Sequence, residues 1–418
     1  GGPGMREMSI PAAMLVGMCK NPAYFNPVRN PERVLERRNL VLRLMADEGY
    51  LTEPECHAWQ QAPLGLDFQR ISHKEGLATY LREYLRHIMT ANKPDKSRYA
   101  SWQRQEFYDD SIAWETNPLY GWCNKNFKKD GSPYNIYTDG LRIHTSVNSR
   151  MQRYAEEAVR EHLTGYLQPN FEKAKKHSPS FPFSSSLTKQ QIKDIIRKNI
   201  LQSDRYRKLK SDGMSEEDIN RNFRKKIPMT IFTYHGDVDT TMSPLDSIMY
   251  YKSFLRAGFM SMDPMTGEVK AYVGGLDYAN FQYDMCMMGR RQIGSTIKPY
   301  LYALAMENGY SPCDEAPNVQ QTYMVGDKPW TPRNASKERY GQMVTLKWGL
   351  SHSNNWISAY LMSKLNPHAL VSLIRSFGVN SLDIYPSMSL CLGTCDISVA
   401  EMVSAYTAFV NKGIRTAP

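Results

Sequence analysis

An α+β fold is predicted by three features of the chain: a helical front with strong stop signals, a hairpin pattern near residue 260, and an apolar helix opening at Gly294-Ser295-Thr296-Ile297-Lys298. The 418 residues, 41% hydrophobic and 22% charged, suffice for two or three domains with a sizeable core. No run approaches the roughly eighteen apolar residues that a membrane helix needs. The formal charge of +10 has its excess between about Lys173 and Lys226, which fits an anionic partner or a solvated basic face. Seven cysteines (19, 56, 123, 286, 313, 391 and 395) are scattered and odd in number, against a disulfide framework. Cys391-x-x-x-Cys395 lacks a four-ligand zinc spacing, and no metal is expected.

Taken in order, the front carries an apolar stretch from Ala12 to Met18, a Pro/Asn-rich turn, a helix over Arg33–Asp47 closed by Gly49, and a cap at Thr52-Glu53-Pro54-Glu55. Arg37 and Arg38 precede Val41, Leu42 and Met45 at helical spacing, so both are expected on the solvent edge of that helix. From about Ala62 to Tyr134 the chain is polar and aromatic, a linker with short helices. Thr138–Val147 alternates as a strand, Ser146-Val147-Asn148 reads as a turn, and Ser149–Val159 turns helical. Two basic helices follow, near Thr188–Leu201 and Glu216–Lys225, the second capped by Ser215. Ser243 as N-cap and Pro244 at the first position open a helix through Leu255. Phe259–Asp263 and Glu268–Val273 then form a hairpin about Pro264-Met265-Thr266-Gly267, and Val344–Leu350 reads as helical.

Chemistry concentrates at Ser295 and Lys298. Pro299 is tolerable only in a first helical turn, so Ser295 sits at a helix start, with Lys298 one turn along on the same face. Serine becomes a nucleophile when a base takes its proton, and a lysine whose pKa burial has lowered can be that base. Ser186-Leu187-Thr188-Lys189 has the same S-x-x-K letters, yet Thr188 and Gln191 form a capping box before Ile192, Ile195, Ile196 and Ile200, an ordinary helix start. Downstream, Ser353-x-Asn355 supplies a hydroxyl and an amide that could relay a proton and position a peptide carbonyl. His352 invites a Ser–His pairing, but no orienting acid stands at a telling spacing.

These motifs, with Gly267–Gly275 before them and Leu392-Gly393-Thr394 and Ala405–Gly413 after them, resemble those of a class A penicillin-binding protein, the bifunctional glycosyltransferase/transpeptidase that builds peptidoglycan. Asn21–Pro27 and Arg37–Leu42 are similar to the closing motifs of that family's glycosyltransferase domain. The resemblance implies three parts: residues 1–62 as the C-terminal, all-α remnant of the glycosyltransferase domain, 63–227 as linker, and 228–418 as the N-terminal part of a serine D,D-transpeptidase (penicillin-binding/β-lactamase-like) fold. The aromatic linker and Ser243–Ser247 look like versions from the Bacteroidetes. No K-T-G motif and no upstream pair of catalytic glutamates occur in the sequence, so by resemblance the chain is an internal piece, with an incomplete transpeptidase site and little or no acylation by itself.

By the same resemblance Ser295 is the nucleophile, Lys298 its base, Ser353 a proton relay and Asn355 the holder of the substrate's backbone amide. The implied partners are peptidoglycan stem peptides, lipid-linked precursors and β-lactams as inhibitors, with a homodimer or a lipoprotein activator. Nucleic acid is not expected, nor a cofactor. The implied location is the periplasmic face of the inner membrane, through an anchor not contained in the sequence. A serine β-lactamase or β-lactam sensor shares S-x-x-K and S-x-N, but leaves the Arg33–Asp47 helix unexplained. A non-catalytic basic binding protein would explain residues 173–226 alone.

Overall fold

The computed structural model describes residues 9–66 and 76–418, and the chain divides into two units, Gly1–Ser72 and His73–Pro418. The Gly1–Met5 start and residues 67–75 of the aromatic stretch lie outside the described residues. In the first unit, α1 (Ser9–Met18), α2 (Pro31–Asp47) and α3 (Glu53–Gln61) pack through Ala13, Leu42 and Cys56. Pro31 opens the first turn of α2 with the acidic Glu32 beside it, and the expected cap at Thr52 opens α3, as a capping box with Glu55.

Arg38 departs from its expected place on the solvent edge. It is fully buried, and its guanidinium donates to Asn39 Oδ1 and to the carbonyls of Gln60, Ala62 and Pro63, so the chain leaving α3 closes over it. A buried guanidinium is tolerated because these acceptors replace its water.

The second unit opens with α4 (Thr79–Met89), α5 (Arg104–Thr116) and α6 (Trp122–Lys125), where Ile88, Met89, Tyr120 and Cys123 form a local core. Of these, α4 and α5 are longer than the short helices expected, and aromatic side chains such as Tyr84 and Trp114 pack against this core. No strand forms over 138–147, and Asn148, read as part of a turn, is instead the N-cap of α7 (Ser149–His162). The reason lies on the neighbouring strand: Gln152 of α7, fully buried, donates to the carbonyl of Tyr272 and accepts from its N–H, both at 2.7 Å. A side chain thus takes the backbone groups a paired strand would use, while the Ser146 hydroxyl donates to Val269 O and the Asn148 N–H to Lys270 O.

Beyond α8 (Gln168–Lys175), the basic region holds three helices rather than the two expected: α9 (Lys189–Gln202), α10 (Asp204–Ser211) and α11 (Glu216–Arg224). Ser203 ends α9 and caps α10 by accepting from Tyr206 N–H, a break the hydrophobic spacing does not signal. The antiparallel pair β1 (Ile227–Thr233) and β2 (Gly236–Met242) is also absent from the sequence reading. Next, α12 (Pro244–Lys252) begins at its expected Ser243 cap and stops at Ser253, short of Leu255.

The hairpin of β3 (Phe259–Met262) and β4 (Val269–Val273) forms as expected, with Asp263 accepting from the N–H groups of Met265 and Thr266 in the turn. After β5 (Arg291–Gln292) and a 3₁₀ turn, Gly294–Ile297, α13 (Lys298–Glu307) runs through the main core. Around it lie β6 (Glu315–Pro317), β7 (Tyr323–Val325), β8 (Lys328–Trp330), β9 (Met343–Thr345), α14 (Leu346–Ser351), α15 (Asn355–Lys364), α16 (Pro367–Ser376), β10 (Asp396–Ile397) and α17 (Val399–Val410). Val344 and Thr345, expected to begin a helix, lie instead in β9 paired with β6, and Thr345 caps α14. Tyr300, buried in α13, meets Phe377, Tyr406 and Phe409 edge-on.

Replacing Gln152 by alanine would leave the Tyr272 N–H and C=O buried without partners, a cost on the order of 3 kcal/mol. Chemical denaturation should give a clearly lower midpoint for Gln152→Ala, whereas an unchanged midpoint would contradict this account of the α7–β4 contact.

Candidate active site

Gly294 takes a left-handed φ of +57°, which starts the 3₁₀ turn carrying Ser295 and delivers the chain into α13 with Pro299 in its first turn. Ser295 lies nearer the surface, whereas Lys298 is 1% exposed. The difference follows from the helix: Ile297, Tyr300, Leu301 and Ala305 are all buried, and Lys298 enters the core among them.

Inside, the Lys298 ammonium donates to the Ser353 carbonyl at 2.5 Å, the Ser353 hydroxyl at 3.0 Å and Asn355 Oδ1 at 2.7 Å. None of these acceptors is a carboxylate. Burial therefore acts with little opposition and lowers the Lys298 pKa from the ordinary lysine range to about 8. The nearby Cys391 thiol offers no counter-charge, because its own burial pushes it up to about 12.

Ser353 can present both oxygens to one amine because it sits in the bend between α14 and α15 with φ +50°, a strained conformation for a residue with a side chain. The next residue holds the bend. Asn354 caps α15 by accepting from Trp356 and Ile357, and donates to Asn318, which is fully buried and donates in turn to the carbonyls of Glu338 and Arg339. Asn355 is fixed at both ends of its amide, with Nδ2 on the Arg333 carbonyl at 2.7 Å, while its backbone N–H donates to Asn334.

A second set of contacts supports the Ser295 turn. Gly294 N–H donates to Gly393 O, Ile293 N–H to Cys395 O, and the Tyr406 hydroxyl to Thr296 O at 2.6 Å. Gly393, at φ +73°, approaches so closely that a Cβ there would lie 2.1 Å from Gly294 O. The two segments can meet only with glycine at 393.

The four residues singled out by the sequence thus fall into one region, with Lys298 bonded to Ser353 and Asn355 and Ser295 in the turn that opens its helix. The alternatives fall elsewhere. Ser186 bonds to Ser184 on the surface, and Thr188 caps α9 as expected. His352 is exposed, stacks on Trp348 and bonds to Ser351 and the Trp348 carbonyl. Cys391 and Cys395 are buried free thiols, and no metal-binding group occurs among the described residues. Sequence reasoning missed Asn354, Asn318, Asn334 and Tyr406, since a single asparagine or tyrosine carries no spacing signal.

The chain matches the family model of the penicillin-binding protein middle domain over residues 178–255 and that of the penicillin binding protein transpeptidase domain over 257–418. It is 26% identical to penicillin-binding protein 1A of Aquifex aeolicus, over 99% of this chain and 51% of that protein. It is 24% identical to penicillin-binding protein 1A of Pseudomonas aeruginosa, over 97% of this chain and 47% of the relative. The chain therefore spans about half the length of these curated relatives. The crystal structure of penicillin-binding protein 1A from Haemophilus influenzae has a similar fold, with a TM-score of 0.55 at 21% identity, over 96% of this chain and 55% of that one.

Proposed function

Because the chain belongs to the class A penicillin-binding proteins, we propose that it contributes the acylating half of a peptidoglycan D,D-transpeptidase site, with Ser295 as nucleophile and Lys298 as base. The observation that carries this reading is the buried Lys298 amine, one turn from Ser295 and bonded to Ser353 and Asn355 without a carboxylate.

The hydrogen bonds suggest how the amine changes protonation state. Ser353 O and Asn355 Oδ1 can only accept, whereas the Ser353 hydroxyl can accept or donate. When Lys298 loses a proton, that hydroxyl can turn and donate to the free lone pair, so the neutral amine stays satisfied.

In the proposed reaction, Ser295 Oγ bonds to the penultimate D-Ala carbonyl carbon of a stem peptide and its proton passes to Lys298 Nζ. The tetrahedral intermediate collapses by breaking the C–N bond, and the proton returns through Ser353 to the departing D-Ala amine. An amine from a second stem peptide attacks the acyl ester, forms the new amide and gives its proton back through Lys298 to Ser295. Asn355 holds the substrate's backbone, and no cofactor takes part. A β-lactam, whose strained amide resembles the D-Ala-D-Ala bond, acylates the same serine.

In the same reading, residues 1–62 close a glycosyltransferase domain, the substrates are stem peptides and their lipid-linked precursors, and the protein works at the periplasmic face of the membrane. No helix among the described residues is long and apolar enough to cross a membrane.

In the full-length protein, a fluorescent penicillin should label Ser295, and Ser295→Ala should abolish the label on a denaturing gel. Labelling that persists in the variant, or that maps to Ser186, would refute the assignment. The acylation rate should also follow the neutral fraction of Lys298, rising about tenfold per pH unit below its pKa and levelling off above about 8. A rate that is flat between about pH 6 and 8, or that falls as pH rises, would remove Lys298 from the role of base.

A further inference from the structure

Helix α5 lies outside both family-model matches, yet it reaches the strand that leads to Ser295. Arg290, immediately before β5, donates through Nη2 to Asp109 of α5 at 3.0 Å, and its Nη1 lies 2.8 Å from Glu401 near the start of α17. Glu401 also caps α17 through Ser398 and accepts from Asn380 N–H. One turn before Asp109 on the same helix, Gln105 donates to Asp109 Oδ1 and to the Asn380 carbonyl, and it accepts from Leu382 N–H at 2.6 Å. The contacts form a closed ring: Gln105, Asn380, Glu401, Arg290, Asp109 and back to Gln105.

This ring is more than an isolated surface ion pair, which would contribute little. The side chains of Arg290, Asp109 and Glu401 are 25%, 35% and 17% exposed; the guanidinium donates a hydrogen bond to Asp109 and faces Glu401 as an ion pair through a buried Nη1 that makes no hydrogen bond, and both carboxylates are themselves hydrogen-bonded. Arg290 is also covalently continuous with β5, whose two residues pair with β10 before the chain turns through Gly294 to Ser295. The ring and the β5–β10 ladder together leave the approach to the nucleophile little freedom.

We propose that α5 sets the position of the Ser295 turn through the Asp109–Arg290–Glu401 bridge, with Asp109 and Arg290 as positioning residues for acylation. The inference rests on the reading of Ser295 as the acylated serine. Its consequence is that a movement of α5, in a segment otherwise remote from the chemistry, alters how fast Ser295 reacts.

The test is the kinetics of penicillin acylation in the full-length protein, separating the saturation constant from the limiting rate. Asp109→Asn keeps the size of the side chain and removes the charge. It should lower the limiting rate on the order of tenfold, the scale of a misplacement of well under an ångström, with the saturation constant nearly unchanged. Asp109→Glu should recover most of the rate, and amide hydrogen exchange over 291–297 should be faster in Asp109→Asn than in the unsubstituted protein. Equal limiting rates in Asp109→Asn and the unsubstituted protein would overturn this inference alone, as would a lower melting temperature with an unchanged rate. Failure of the unsubstituted protein to acylate at all would overturn the Ser295 reading and this inference with it.

Discussion

An amine in a protein core normally needs an anion beside it, and Lys298 has none: its partners are a carbonyl, a hydroxyl and an amide. Neutral acceptors satisfy its hydrogen bonds without stabilising its charge as an anion would, so desolvation dominates and the proton is held loosely near neutral pH. A carboxylate in the same place would secure the fold's buried cation and remove the proposed base. The site depends on that choice of neutral partners.

Much of the surrounding structure serves the geometry of those partners. The left-handed backbone at Ser353 brings two oxygens to one nitrogen, and the Asn354–Asn318 pair anchors the bend to a second loop. On the other side, the close approach of Gly393 to Gly294 and the Tyr406 hydroxyl on Thr296 hold the turn that carries Ser295. Strain at Ser353 is maintained because helix packing on both sides leaves the bend no alternative course.

The features legible in the sequence were local. Caps at Thr52, Thr188, Ser215 and Ser243, and the 259–273 hairpin, arise from side chains acting on backbone within a few residues. The two S-x-x-K matches are separable by context: a capping box at Thr188 marks an ordinary helix start, whereas Ser295 follows the 259–273 hairpin and is followed by Ser353-x-Asn355. The features that escaped were non-local. Arg38 is buried because residues 60–63 fold back over it, and 138–147 is not a strand because Gln152, on a later helix, occupies the edge it would pair with. The Asp109–Arg290 bridge spans 181 positions, and no pattern in either segment announces it.

In the proposed reaction Lys298 acts as the base, and it does so because its partners are neutral acceptors. The direct measurement is the pH profile of acylation in Asn355→Asp, which places a carboxylate where Oδ1 now lies 2.7 Å from Nζ. Whatever happens to the maximal rate, the midpoint should move from about 8 to a value at least about one unit higher, as an opposite charge at this distance holds the proton. A midpoint that stays near 8 would contradict the account.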